Sequence, residues 1–303
     1  MGGLRTLGYC RVKNVCVSIM IAVPLDKNEL QKFFDNDAEE VITFFIFKAI
    51  FSQPDLLPGQ KSIPIQIPKE HIEQWGVQAL GADPIGAGSY PVDLVDESKG
   101  YASDIKMLSF SNKTETGKDS NKMSGETSLA QKFADEDLDV KFVQGQYDAI
   151  INAWIEILDS KFQLVFNNYP KITDIYYFIL IREKDEQTLG DNKGKKFHIC
   201  GMKVDTSKFC ELEHAKDSKD SVWVNNFIDN EYGDIKVYKA KKRMELRLRP
   251  RKWINNNKVI TFDFGNFNQA EKELKSMTNE EKYNFSIDSF KKLYKQVLNY
   301  EKQ

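Results

Sequence analysis

Cysteine and histidine are scarce in this chain. Its 303 residues hold four cysteines, Cys10, Cys16, Cys200 and Cys210, and three histidines, His71, His198 and His214. No two cysteines form a CxxC pair, and the histidines stand in no HExxH or other ligand spacing. A zinc ribbon, a zinc finger and a zincin-type centre are therefore excluded. So few thiols make no disulfide framework; they read as reduced thiols in a cytoplasmic protein. The clustered His and Asn of an HNH nuclease are missing as well. Gly86-Ala-Gly88-Ser89 lacks both the lysine of a P-loop and the third glycine of a dinucleotide fingerprint, and reads as a turn. No GxSxG and no Cys–His neighbourhood points to covalent catalysis.

An excess of charge is also absent. Lys plus Arg number 43 and Asp plus Glu 45, a formal net charge of −2. A histone-like polycation is excluded, and the placement of charge matters more than its sum. With 41% hydrophobic and 29% charged residues the composition is that of a folded globular chain, which excludes wholesale disorder. Long apolar runs are lacking. Arg5, Arg11 and Lys13 before Val15–Leu25 imitate a signal peptide. That run is too short to span a bilayer, and no small-x-small cleavage site precedes the acidic segment at Asp26. No membrane association is expected. Residues 1–19 read as an N-terminal extension, either an ordinary one or a spurious one ahead of a true start at Met20.

What is present is a mixed pattern of periods. Leu30, Phe33, Phe34, Val41, Phe44, Phe45, Phe47 and Ile50 recur largely at spacings of three and four, which predicts helix over 27–52. Pro54 and Pro58-Gly59 end that unit. A short extended piece is expected at Ile63–Ile67, then a helix over Lys69–Leu80 opened by Pro68. Gly81–Ser89 reads as loop or irregular strand. Tyr90–Val95 and Tyr101–Phe110 read as a β-hairpin around the polar turn Asp96–Gly100. Ser111–Gly125 is polar and reads as a mobile loop. Tyr147–Phe166 predicts an amphipathic helix, and Ile172–Ile181, ITDIYYFILI, a central strand buried on both faces. Lys195–Val204 is expected to pair with that strand across Gly190–Gly194. Ile287, Phe290, Leu293, Tyr294, Val297 and Leu298 predict a terminal amphipathic helix. No internal repeat and no linker is visible. The expected fold is one α/β (α+β) domain over residues 20–303, with a mixed central sheet flanked by helices.

Chemistry concentrates on the predicted hairpin. Asp93 is placed early on its first strand, and Asp104 and Lys106 on its second. Strand side chains alternate in direction, so Asp104 and Lys106 share a face, and pairing can bring Asp93 to it. Two convergent carboxylates form a hard-oxygen site suited to Mg²⁺, which takes few protein ligands and keeps several waters. A lysine beside them can orient or activate a metal-bound water and neutralise charge developing on a phosphate. Those are the requirements of metal-assisted phosphodiester hydrolysis.

Pro91-Val92-Asp93 followed by Asp104-Ile105-Lys106 resembles the PD-(D/E)xK motif of many type II restriction endonucleases. The first half is one residue longer than the strict Pro-Asp pair; the second half fits. The family core is a helix, a three-stranded run carrying the motif, a helix and a further strand. Here Lys69–Leu80, the hairpin, Tyr147–Phe166 and Ile172–Ile181 supply most of that order, so a catalytic core is expected over about residues 70–182. The resemblance implies Asp93 and Asp104 as Mg²⁺ ligands and Lys106 as the residue that positions the attacking water. The family often adds an acidic residue from the preceding helix; Glu73 is the nearest match and Glu40 a weaker one. Double-stranded DNA as substrate and a homodimer that cuts both strands complete the implication.

A second feature stands apart. Lys236–Lys252, KVYKAKKRMELRLRPRK, holds nine basic residues and one acidic. Lys239, Lys241, Arg243, Arg247, Arg249 and Arg251 share one parity, and Ala240, Met244, Leu246 and Leu248 the other. A strand would present cations roughly 6–7 Å apart on one face while burying its apolar face, a layout that tracks a phosphate backbone. The alternative is a solvated edge strand kept soluble by charge. A DNA-contacting elaboration is accordingly expected within 195–303. Two rivals to a DNA endonuclease remain: a non-catalytic DNA-binding protein, and a Mg²⁺ enzyme acting on a small phosphorylated substrate.

Overall fold

The computed structural model describes residues 20–51, 58–59, 67–85, 90–110, 125–131, 137–183, 196–239 and 243–263, with isolated positions at 278, 280, 281 and 284. The N-terminal extension, most of the Ile63–Ile67 piece, the Gly86–Ser89 turn, the 111–124 loop, the Gly190–Gly194 turn and the expected terminal helix lie outside the described residues.

In chain order the elements begin with strand β1 (Ala22–Pro24), the short helix α1 (Lys27–Leu30) and helix α2 (Asn36–Phe51). Helix α3 (Lys69–Leu80) precedes strands β2 (Asp83–Pro84), β3 (Leu94–Asp96), β4 (Tyr101–Phe110) and β5 (Gly125–Gln131). Helices α4 (Leu138–Val143) and α5 (Tyr147–Asn168) lead into β6 (Asp174–Glu183) and β7 (Lys196–Val204). After a 3₁₀ turn come β8 (Glu213–Ser218), β9 (Ser221–Asn225), β10 (Gly233–Tyr238) and β11 (Arg243–Leu248). Helix α6 (Pro250–Asn255) and β12 (Ile260–Asp263) follow.

The strands form two sheets. The first is mixed, in the order β1-β7-β6-β4-β3-β2, with β12 also paired to β7. Within it β3 and β4 are antiparallel, β4 and β6 parallel, and β6 and β7 antiparallel. A parallel pair needs a crossover, and here the chain between β4 and β6 includes α5. The second sheet is antiparallel, in the order β5-β11-β10-β9-β8. Helices with a mixed and an antiparallel sheet make the α+β class expected from the sequence.

Strand β6 is central and apolar on both faces, as its composition predicts. Ile175, Tyr177, Ile179 and Ile181 share one buried cluster with Ile150, Trp154 and Leu158 of α5. Phe178 and Leu180 belong to another, with Phe34, Ile42, Ile72 and Trp75 from the side of α2 and α3. The α5 cluster continues beneath the second sheet through Val222, Val237, Met244 and Leu246, so one core underlies both sheets. Each such large side chain contributes roughly 1.5–3 kcal/mol when fully buried.

Two glycines set the geometry near the hairpin. Gly100 ends the β3–β4 turn at φ +74°, a left-handed conformation that favours glycine. Asp96 supports the same turn, its Oδ1 accepting from Ser98 Oγ at 2.6 Å and Lys99 N at 3.0 Å. Gly76 lets α3 press onto β4: a Cβ there would lie 2.9 Å from Ile105 Cγ1. The hairpin is real but asymmetric. Strand β4 spans the expected residues, whereas β3 covers only Leu94–Asp96 and leaves Tyr90–Asp93 outside it. Pro91 has no N–H to donate to a ladder, which limits how far that strand can extend.

Candidate functional site

Asp93 lies one residue ahead of β3, not on it. Its N–H donates to Ser103 O at 2.8 Å, and its C=O accepts from Ile85 N at 2.9 Å. The side chain then acts as a substitute for backbone: Ile105 N–H donates to Asp93 Oδ2 at 2.6 Å. The β3–β4 ladder therefore ends in a fork, with the Asp93 carboxylate hydrogen-bonded to the edge of β4 where the pairing stops. Asp104 and Lys106 follow on β4 at the same fork, on one face by strand alternation. The Lys106 ammonium donates to Asp104 Oδ1.

Burial dominates the electrostatics. Asp104 is 3% exposed. That burial raises its pKa well above the ordinary carboxylate value; Lys106 opposes the shift and the Asp93 carboxylate adds to it. For Lys106, burial alone would lower the pKa, but Asp104, Asp93 and Glu73 together outweigh it and the ammonium is held charged. Glu73 thus belongs to the electrostatic environment of the lysine from α3, one turn ahead of the Gly76 contact. Asp93, Asp104 and Lys106 meet at one place, and Glu73 acts there only as the weakest of the three carboxylate charges on Lys106. Glu40 has no described part in it.

Two adjacent carboxyl groups, one of them buried, offer hard oxygen donors to a cation beside the Lys106 ammonium. Among the described residues no three His, Cys, Asp or Glu side chains group closely enough to enclose a metal ion. Asp93 and Asp104 instead offer a two-carboxylate site with the remaining positions left to water, which fits Mg²⁺ and not a fully protein-caged metal. Tyr177 is a neighbour of this pair that sequence pattern alone does not single out, because it lies within the apolar run of β6. It faces Asp104 across the parallel β4–β6 ladder.

The basic run is organised differently from the expectation. Strand β11 carries Met244, Leu246 and Leu248 inward as the parity predicts, all fully buried. It is a central strand between β5 and β10, so the solvated-edge alternative does not hold. The strand ends at Leu248; Arg249 is the N-cap of α6 and Arg251 lies within α6, so neither continues the row. On the polar face the arginines meet acids. Arg243 Nε pairs with Glu245 Oε1 at 2.6 Å, and Glu245 is 3% exposed. Arg247 and Arg249 both reach Asp234, at 3.4 and 3.2 Å. Lys239 follows β10, and Lys241 lies outside the described residues.

The chain matches no family model, no curated protein and no solved structure. Among the described residues no helix is long and apolar enough to cross a membrane.

Proposed function

We propose that this protein is a Mg²⁺-dependent endonuclease acting on double-stranded DNA, in the manner of a type II restriction enzyme working as a homodimer in the cytoplasm. One observation carries the reading: Asp93, Asp104 and Lys106 meet at the fork between β3 and β4, with Glu73 acting on the lysine from α3. The order α3, β2–β4, α5, β6 supports it as well, because a helix, a three-stranded run, a helix and a further strand frame these residues. Asp93 and Asp104 would hold the metal. A bound Mg²⁺ lowers the pKa of a coordinated water and offsets charge on the phosphate. Lys106, charged and about a quarter exposed along its side chain, orients the attacking water and faces the phosphate. Glu73 adds the smallest of the carboxylate influences that hold the ammonium charged. A dimer would supply one such centre for each strand.

The test is a digest of mixed plasmid and phage DNA with and without Mg²⁺, run beside Asp104→Asn. Discrete Mg²⁺-dependent bands, lost in the variant, support site-specific cutting; a smear marks a non-specific nuclease. DNA left intact by a folded parent overturns the reading. A second reading draws support from the paired arginines of β11 and α6, whose charge is partly offset by Glu245 and Asp234. It is a Mg²⁺ enzyme acting on a small phosphorylated substrate. A flat salt dependence of duplex binding would favour it, since neutralising several phosphates gives a steep slope.

A further inference from the structure

We infer that the outward face of the five-stranded sheet grips the phosphate backbone of duplex DNA through Lys216 and Lys236, two lysines held in place by the rings of Trp223 and Tyr238. This deepens the reading given above and rests on it only for the identity of the polyanion. The register brings the four residues together. Lys216 of β8 stands opposite Trp223 of β9, and Trp223 opposite Lys236 of β10, with Tyr238 two residues further along β10. Their strand neighbours Val222, Val224, Ile235 and Val237 are buried in the core, so these residues point away from it. Lys216 is exposed and the other three are half-buried. A register shift between His214 and Lys216 gives β8 one extra residue; without it Ala215 would oppose Trp223. The bulge is what aims the lysine at the ring.

The Lys236 ammonium lies 4.4 Å from the centre of the Trp223 ring and 4.2 Å from that of Tyr238, and Lys216 Nζ lies 4.9 Å from the centre of Trp223. All three distances are within cation–π range, about 6 Å. The difference from the arginines of β11 and α6 is electrostatic. Arg243 is matched by Glu245, and Arg247 and Arg249 by Asp234, so much of their field is cancelled within the sheet. An aromatic ring attracts an ammonium without carrying a formal negative charge. It restrains a side chain that otherwise loses much rotamer freedom on binding, and it leaves the positive charge to act outward. The ammoniums also occupy positions over the rings where a base would stack. This face therefore suits a duplex, with its bases paired inside and its phosphates outside, and not an unpaired strand.

Binding of a fluorescent DNA duplex in Ca²⁺, without Mg²⁺, is followed by anisotropy over a series of salt concentrations. Lys216→Gln, Lys236→Gln, their double variant, Trp223→Leu and Trp223→Phe are compared with the parent well below their melting temperatures. Each lysine variant should lower the salt slope by about one unit, and the double variant by about two. Trp223→Leu keeps both charges and so keeps the slope, but it should bind about two- to fivefold more weakly, and Trp223→Phe should recover most of that loss. Unchanged slopes in the lysine variants overturn the inference while duplex DNA stands as the substrate. Trp223→Leu binding as tightly as the parent overturns the role of the rings, and the inference with it. A parent that prefers the single strand to the duplex, and loses that preference in Trp223→Leu, overturns it too, since the rings would then be stacking bases. If the slopes fall as expected but no Mg²⁺-dependent cutting occurs, the surface stands and the endonuclease reading fails. A parent that binds no duplex at low salt overturns both.

Discussion

Replacing Lys106 by methionine tests the electrostatics of the fork more sharply than any loss of activity. Methionine keeps an unbranched apolar stem and removes the charge that faces Asp104. Asp104 and Asp93 are then left side by side without their counter-charge, and breaking a buried ion pair costs about 3–5 kcal/mol. Asp104 limits that cost by taking up a proton, which burial already favours. With about 2.1 cal/mol/K of unfolding entropy per residue, a loss of about 3 kcal/mol in a chain of 303 residues lowers Tm by about 5 °C. The sign with pH follows. A carboxyl whose folded pKa is raised above its unfolded value contributes fully at pH below the unfolded value, about 3.9, and that contribution is lost as pH rises through the folded value. In Lys106→Met the Asp104 pKa rises further than in the parent, so the deficit grows from acid to neutral pH and then levels off. Thermal melts at an acid and an alkaline pH should show a smaller deficit in acid and one of about 5 °C at the alkaline value. A deficit of the same size at both pH values would refute the coupling of Lys106 to Asp104 and reduce the lysine to a packing residue.

Asp104→Asn should abolish cleavage while duplex binding in Ca²⁺ stays near the parent; cleavage within tenfold, a barrier change of about 1.4 kcal/mol, would remove Asp104 from the site. Gly76→Ala should force α3 away from Ile105, since its Cβ would start 2.9 Å from Ile105 Cγ1. Such overpacking costs roughly 1–3 kcal/mol and shifts α3 against the strand that carries Asp104 and Lys106, so melting temperature and cleavage rate should fall together. Arg247→Ala, Arg249→Ala and Arg251→Ala should each weaken DNA binding if these residues touch phosphate, and each should lower the salt slope by about one unit. Unchanged binding and slope in all three would place the DNA-facing surface elsewhere on the chain.

The hairpin and the strand beside it are legible in the sequence because local pattern determines them. The period-two residues of Tyr101–Phe110, the polar turn closed by Gly100 and the β-branched, aromatic run of β6 each specify their own conformation. Their pairing follows from being neighbours in the chain or, for β4 and β6, from a crossover that includes α5. The five-stranded sheet is least legible at β5, because that strand's partner is far along the chain: β5 pairs with β11 across more than a hundred residues. A seven-residue strand in such a pairing leaves little local signature. Gly125 therefore reads as the end of a polar loop, although it begins β5.

The two functional readings diverge for the same reason. Asp93, Asp104 and Lys106 converge through a hairpin, where sequence separation is short and the pleat fixes the face. Even there, strand alternation places Asp93 only approximately. Pro91 limits the strand, and Asp93 reaches the site by taking the Ile105 N–H with its side chain. For β11 the parity of the residues correctly gives which face is buried, through Met244, Leu246 and Leu248. It says nothing of what stands opposite the arginines on the other face. Glu245 is two residues from Arg243 and is visible as a local partner. Asp234 lies on β10, opposite Arg247 in the antiparallel register, and only that register brings it to Arg247 and Arg249. A row of cations read from one strand is thus an upper bound on positive field, because acids on the neighbouring strand subtract from it. A pair of acids beside a lysine on one short hairpin is a lower bound on a site, because the fold brings residues of other strands next to it, as β6 brings Tyr177 opposite Asp104.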